Sequence, residues 1–202
     1  MADRIRRAHG HAKGRTVHSI GRRINPIKGE EKMNKAMIFN FDVDKENRKI
    51  KVERSFDAPL DLVWSAWTEA EILDQWWAPK PWRAETKSMD FSEGGRWHYS
   101  MVGPEGERHW ALMNYVVIEP KKSFAGVDAF GDEGGNVNTA QPGSNWTNTF
   151  AEKDGATLVT NEISFDDLSQ MEGMIAMGFK EGFTMGLGNL DELLAKLQKK
   201  TV

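Results

Sequence analysis

The run Met171–Lys199 constrains the fold more than any other stretch. Ile175, Phe179, Phe183, Leu187, Leu190, Leu194 and Leu197 recur at steps of four and three, which places them on one face of a helix sustained to the end of the chain. The same run holds Gly173, Gly178, Gly182, Gly186 and Gly188. Each internal glycine weakens a helix by about 1 kcal/mol relative to alanine. Such a helix must be held by what packs on it, and its thin flank admits a close neighbour. Almost everything before it reads as strand. The pattern predicts a sheet wrapped around a terminal helix, with room left between them.

A chain of 202 residues suffices for one domain with a substantial core and a short appendage. Ten Phe, eight Trp and two Tyr supply that core with large apolar area. Cysteine is absent, which excludes disulfides, thiolate metal sites and a cysteine nucleophile. No apolar run approaches a membrane span and no signal-peptide core appears, so a cytoplasmic protein without membrane contact is expected. Charge is unevenly spread. Residues 1–32 carry nine Lys/Arg against three Asp/Glu, leaving 18 against 27 for the remainder. An acidic body argues against nucleic-acid binding by the folded domain.

Residues 1–36 are expected to be a disordered basic extension, because their composition buries too little to offset ordering. A nucleic-acid arm and a transit peptide are competing readings. The abrupt change of composition at Met33 favours an upstream extension instead. His9, His11 and His18 lack the carboxylate or thiolate partners of a metal site. The domain is expected over 37–199. Alternation from Met37 to Val43, a polar turn, and Lys49–Ser55 predict a hairpin. Asp57-Ala58-Pro59 opens a helix burying Leu60, Val63, Trp64 and Trp67. Thr68-Glu69-Ala70-Glu71 has the form of a capping box and predicts a second short helix to Trp76-Trp77. Six strands follow: Arg83–Phe91, Gly95–Val102, His109–Glu119, Ser123–Phe130, Asn145–Ala151 and Thr157–Phe165. Turn-forming residues separate them, which indicates an antiparallel meander. Gly131–Ser144 is a Gly/Asn-rich loop suited to a mouth or lid.

Several local motifs carry a family resemblance. Arg54-Ser55-Phe56-Asp57-Ala58-Pro59, Val63-Trp64, Trp67-Thr68 and Trp76-Trp77-Ala78-Pro79 stand in order. Phe91-Ser92-Glu93-Gly94-Gly95-Arg96-Trp97, Gly103-Pro104-Glu105-Gly106, His109-Trp110, Ile118-Glu119-Pro120, Asp154-Gly155-Ala156-Thr157 and Gly182-Phe183 continue the series. Together they resemble the family related to the C-terminal domain of the activator of heat-shock-protein-90 ATPase, in the START-like (SRPBCC, birch-pollen-allergen-like) superfamily. The resemblance covers about residues 49–198. It implies an α+β helix-grip fold: a curved antiparallel sheet gripping a long C-terminal helix around an apolar cavity, with two short helices after the first domain strand. The superfamily includes lipid carriers, hormone receptors, polyketide cyclases and co-chaperone domains, so fold alone does not choose a function.

On Gly95–Val102, Trp97, Tyr99 and Met101 share one face; Arg96, His98 and Ser100 share the other. A turn centred near Glu105 sets Trp97 opposite Met113 and Tyr99 opposite Ala111, with Tyr115 and Val117 continuing the inward face. His98 then opposes Leu112 and His109 opposes Met101, so the two histidines do not pair, and His98 is expected to be solvated. Asn148, Asp128 and Glu162 interrupt apolar strand faces and are the candidate polar contacts. The expected site is therefore walled by Trp97, Tyr99, Met113, Tyr115, Phe179 and Phe183, with Asn148 or Glu162 orienting an apolar or aromatic small molecule. No cofactor and no metal are expected. No Ser/His/Asp set or phosphate-binding loop is present; any catalysis would be that of a cofactor-free cyclase or lyase using a carboxyl of raised pKa. The alternative is a co-chaperone-like or homodimerising interaction module, which predicts a filled interior and an exposed apolar patch.

Overall fold

The computed structural model describes residues 38–141 and 143–200. The expected basic extension lies outside the described residues. The elements run β1 (Phe39–Asp44), β2 (Lys49–Phe56), α1 (Leu60–Thr68), α2 (Ala70–Leu73), β3 (Arg83–Met89), β4 (Arg96–Val102), β5 (Arg108–Glu119), β6 (Ser123–Gly131), β7 (Asn145–Lys153), β8 (Ala156–Ser164), α3 (Leu168–Ala176) and α4 (Phe179–Lys200). The strands form one antiparallel sheet of order β1-β2-β8-β7-β6-β5-β4-β3. Only the β2–β8 pairing joins strands distant in sequence, and it encloses everything between them. The predicted helix-grip architecture is the one observed.

Turn chemistry fixes the hairpins. Asp154 (φ 54°) and Gly155 (φ 70°) both occupy the left-handed region between paired Lys153 and Ala156. A two-residue turn of that kind matches the natural twist of the strands it joins. On β5 the register shifts between Tyr115 and Val117. That bulge re-aims the strand, so Val117, expected inward, is instead 46% exposed.

The two short helices form where expected but start differently. Pro59 itself is the N-cap of α1, and Glu69, not Thr68, caps α2 without a side-chain bond. Thr68 Oγ1 instead donates to the Trp64 carbonyl at 2.8 Å, so the expected capping box does not form. After Leu73 the chain leaves the helix and reaches Trp76 and Trp77 through turns.

The terminal run is two helices rather than one. Gly178 adopts φ +84°, and the Met177 and Gly178 N–H groups donate to the Gly173 and Ile175 carbonyls. This glycine-capped end stops α3 before α4 begins. Ile175 and Phe179 are four residues apart, so the apolar stripe runs across the break without registering it. Within α4, Phe183, Leu187, Leu190 and Leu194 are buried against the sheet. Arg54 of β2 pairs with Asp191 of α4, tying helix to sheet, while burial raises the Asp191 pKa.

The glycine flank of α4 has a specific neighbour. A methyl at Gly186 would sit 3.2 Å from the Trp77 carbonyl and 3.6 Å from that of Trp76. Three residues on, Asn189 Nδ2 donates to the carbonyls of Ala78 at 3.1 Å and Trp76 at 3.4 Å. The thin side of the helix thus receives the backbone that carries Trp76 and Trp77. Gly188, by contrast, has open space where its methyl would be. Gly188→Ala is expected to stabilise the protein by about 0.5–1 kcal/mol in urea unfolding, from helix propensity alone. Gly186→Ala is expected to show no such gain, because its methyl presses on the Trp77 carbonyl, whose neighbours on both sides are held by Asn189.

Candidate ligand site

Alternation along the central strands sets the inner wall. Trp97 and Tyr99 of β4, Met113 and Tyr115 of β5, Phe124 of β6, Trp146, Asn148 and Phe150 of β7, and Val159, Asn161 and Ile163 of β8 are all buried. The β4–β5 register is the expected one: Trp97↔Met113, Tyr99↔Ala111, His98↔Leu112 and His109↔Met101.

Rings fill most of the space beneath this wall. Trp97 and Tyr99 stack at 3.9 Å, and Phe179 and Phe183 stack at 5.3 Å. Trp77 stands between these groups, with ring centroids 5.5 Å from Trp97, 6.1 Å from Phe183 and 6.2 Å from Trp146. Its indole N–H donates to the Tyr99 hydroxyl at 2.9 Å. Phe183 and the half-buried Phe179 pack on Trp146.

The void that remains is about 20 Å³ and is lined by Trp67, Leu73, Trp77, Trp97, Met113, Tyr115, Phe124, Trp146 and Asn148. That is room for about one water molecule. The open cavity expected from sequence is therefore nearly closed, because Trp67 of α1 and Trp77 of the α2–β3 segment enter from outside the strand wall and Trp146 of β7 adds its ring to them. Two of the lining residues, Trp67 and Asn148, belong to incompletely satisfied polar groups. Trp67 Nε1–H is buried without a hydrogen-bond partner. Asn148 Oδ1 accepts from Asn161 Nδ2 at 2.7 Å, while Asn161 Oδ1 is buried and unpartnered. Each such orphan costs about 1–3 kcal/mol.

Glu162 is not part of the site. Val159, Asn161 and Ile163 point inward, so Glu162 points out and is exposed, paired in register with Lys51 of β2 and Thr147 of β7. Asn161 is the inward polar residue of β8. Its signal was present in the sequence as a single polar position between Val159 and Ile163. His98 does lie on the outer face, yet it is buried, not solvated. Its Nε2 lies 3.0 Å from the Asp132 carbonyl, and its ring is 4.9 Å from Trp110. The Gly131–Ser144 loop thus covers the outside of the sheet here, a role that strand alternation does not reveal.

Asp128 is inward-facing, as register partner of Met113. Its Oδ1 accepts from both the N–H and the hydroxyl of Ser144, the latter at 2.7 Å, and Trp146 Nε1 donates to the same hydroxyl at 3.0 Å. Burial nevertheless pushes its pKa up, against the pull of these donors. Burial also raises the Tyr99 and Tyr115 pKa values, so both phenols stay neutral. Among the described residues, no three His, Asp or Glu side chains are grouped to hold a metal, and no helix is long and apolar enough to cross a membrane.

Comparison with known proteins agrees with this architecture. The family model for activator of Hsp90 ATPase homolog 1-like proteins matches residues 57–195. The chain belongs to this family. No curated protein matches it. Protein Ms6760 from Mycobacterium smegmatis is 28% identical, with a TM-score of 0.72 over 78% of this chain and 96% of that one. A protein from Arthrobacter aurescens is 27% identical, with a TM-score of 0.74 over 78% and 91% of the two chains. A Silicibacter pomeroyi protein bearing the family name shares the fold at 21% identity, with a TM-score of 0.58 over 73% and 97%. The helix grip of this activator-like chain is therefore a family property.

The raised pKa of Asp128 sets a direction for pH dependence. Between about 4, where a free carboxyl titrates, and the raised folded value, the native state holds more protons than the unfolded chain. Its contribution to stability therefore falls as pH rises through that window and is flat above it. Asp128→Asn lacks this penalty. Its unfolding free energy relative to the wild type is expected to increase across the same window, read from urea unfolding at stepped pH. A difference that does not change with pH would contradict the assignment.

Proposed function

We propose that this activator-like protein binds a small apolar or aromatic molecule between the sheet and α4, in the place where Trp77 now closes the interior. The observation that carries this reading is the void lined by Trp67 and Asn148, where an indole N–H lies buried with no acceptor. A molecule with one acceptor atom and an apolar body satisfies that donor and meets aromatic walls on every other side.

About 20 Å³ does not accommodate such a molecule, so entry requires a side chain to leave. Trp77 is the one suited to do so. Trp67, Trp76, Trp97 and Trp146 are buried, while Trp77 is half-buried and sits on the irregular segment between α2 and β3. Asn189 holds the carbonyls on both sides of it, so the ring can swing without the backbone following. Its departure breaks one hydrogen bond, to Tyr99, and frees a phenol that can then bind the ligand.

A second reading draws on the same filled interior. Val117 and Val127 lie outward at 46% and 38% exposure, beside Ala125, the register partner of Val117. A module that binds a chaperone or a second copy of the chain would use such a surface and leave the interior shut. Trp77→Ala separates the two. It is expected to lose about 3–5 kcal/mol of stability. Saturating indole is then expected to recover part of that loss as a raised melting temperature, as small apolar molecules do in engineered apolar cavities. Trp77→Leu, a milder truncation, serves if the alanine variant does not fold. A melting temperature unmoved by indole in both variants would favour the interaction module.

A further inference from the structure

The aromatic interior has one acidic end, and it is not explained by the walls alone. Trp97, Met113 and Asp128 are register partners in a line across β4, β5 and β6, all on the inward face. In the next line lie Tyr99, Ala111 and Phe130. Ala111, Phe130 and Met101 of this end are half-buried, as is Phe179 of α4. Asp128 therefore stands in the same register line as Trp97 and Met113, which line the void, beside the row whose Ala111 and Phe130 are half-buried.

No Lys, Arg or His among the described residues forms an ion pair with Asp128; Ser144 donates to it twice, and Trp146 Nε1 donates to the Ser144 hydroxyl. Ser144 places two donors on Oδ1, which orients the carboxyl. Aromatic rings lie nearby: Trp146, bonded to Ser144, packs edge-on against Phe179 at 6.0 Å and Phe183 at 5.6 Å, and Tyr99 is near enough to be influenced by the Asp128 charge. A partly desolvated carboxylate among aromatic faces is a poor environment for an anion or a neutral oxygen, and a good one for an ammonium group.

We propose that Asp128, oriented by Ser144, is the head-group anchor of the ligand site and selects molecules that carry a protonated amine on an aromatic or apolar body. This deepens the small-molecule reading and rests on it. The amine would pair with Asp128, while the apolar body lies toward Trp77 and the void. Neutral ligands of the same shape would gain only the apolar contact.

The test uses the full chain and two near-isosteric probes, phenethylamine, which is cationic at pH 7, and 2-phenylethanol, which is neutral. Binding is followed by NMR through the indole N–H resonances of Trp146 and Trp77. The amine is expected to bind at least tenfold more tightly than the alcohol. Asp128→Asn, whose amide oxygen still accepts from Ser144, is expected to abolish that preference while leaving affinity for the alcohol unchanged. Equal affinity of the two probes for the wild type, or a preference that survives Asp128→Asn, would overturn the anchor and leave the small-molecule reading standing. If neither probe shifts these resonances in the wild type or in Trp77→Ala, both the anchor and the small-molecule reading fall.

Discussion

Contact between the Trp77 ring and the groups around it joins the two layers of this protein. Sheet and helix meet through rings, and Trp77 touches Trp97 and Tyr99 on β4, Trp146 on β7 and Phe183 on α4, besides Trp67 of α1. A helix as rich in glycine as α4 has little intrinsic stability to contribute. It is held by Leu187, Leu190 and Leu194 against the sheet and by the Trp76–Ala78 backbone on its thin flank. The glycines and the tryptophans are thus one device: removing side chains from α4 lets the loop approach, and the approach delivers Trp77 to the centre.

That device also explains why the interior is closed. A curved sheet over a single helix leaves space that strand side chains alone do not fill. Here the filling comes from a loop residue, which is easier to displace than a residue of a strand or helix. The Asn189 bonds fix the loop backbone on both sides of Trp77. The polar groups left over, Trp67 Nε1 and Asn161 Oδ1, lie in or beside the region that the ring closes. Buried polar groups without partners are uncommon in folded proteins, and a ligand supplying the missing contacts is one way to explain them.

Strand positions, the hairpin at Asp154-Gly155 and the β4–β5 register were legible in the sequence because period-two alternation and turn residues specify them locally. The family resemblance extended that to the whole architecture. The break at Gly178 was hidden, since Ile175 and Phe179 keep helical spacing across it. The face of β8 is ambiguous in the sequence, because Leu158 shares a face with Glu162 while Val159 and Ile163 share the opposite one, and the buried face is the latter. His98 was taken for solvated because its covering, the Gly131–Ser144 loop, is a tertiary contact with no periodic signature. Trp77 was visible as a residue, but its position at the centre depends on Gly186 and Asn189, which lie more than one hundred residues away in sequence.

Membership of the activator-like family establishes the fold and leaves chemistry to the interior, with its rings, its asparagines and Asp128. The central claim is that Trp77 alternates between closing the space and yielding it. Relaxation dispersion of the tryptophan indole N–H resonances reports such motion directly on the microsecond-to-millisecond scale. Exchange is expected at Trp77 and not at Trp76, whose indole N–H is fixed to the Ala66 carbonyl at 2.8 Å. A Trp77 resonance as static as that of Trp76, both free and in the presence of a bound aromatic molecule, would contradict the account.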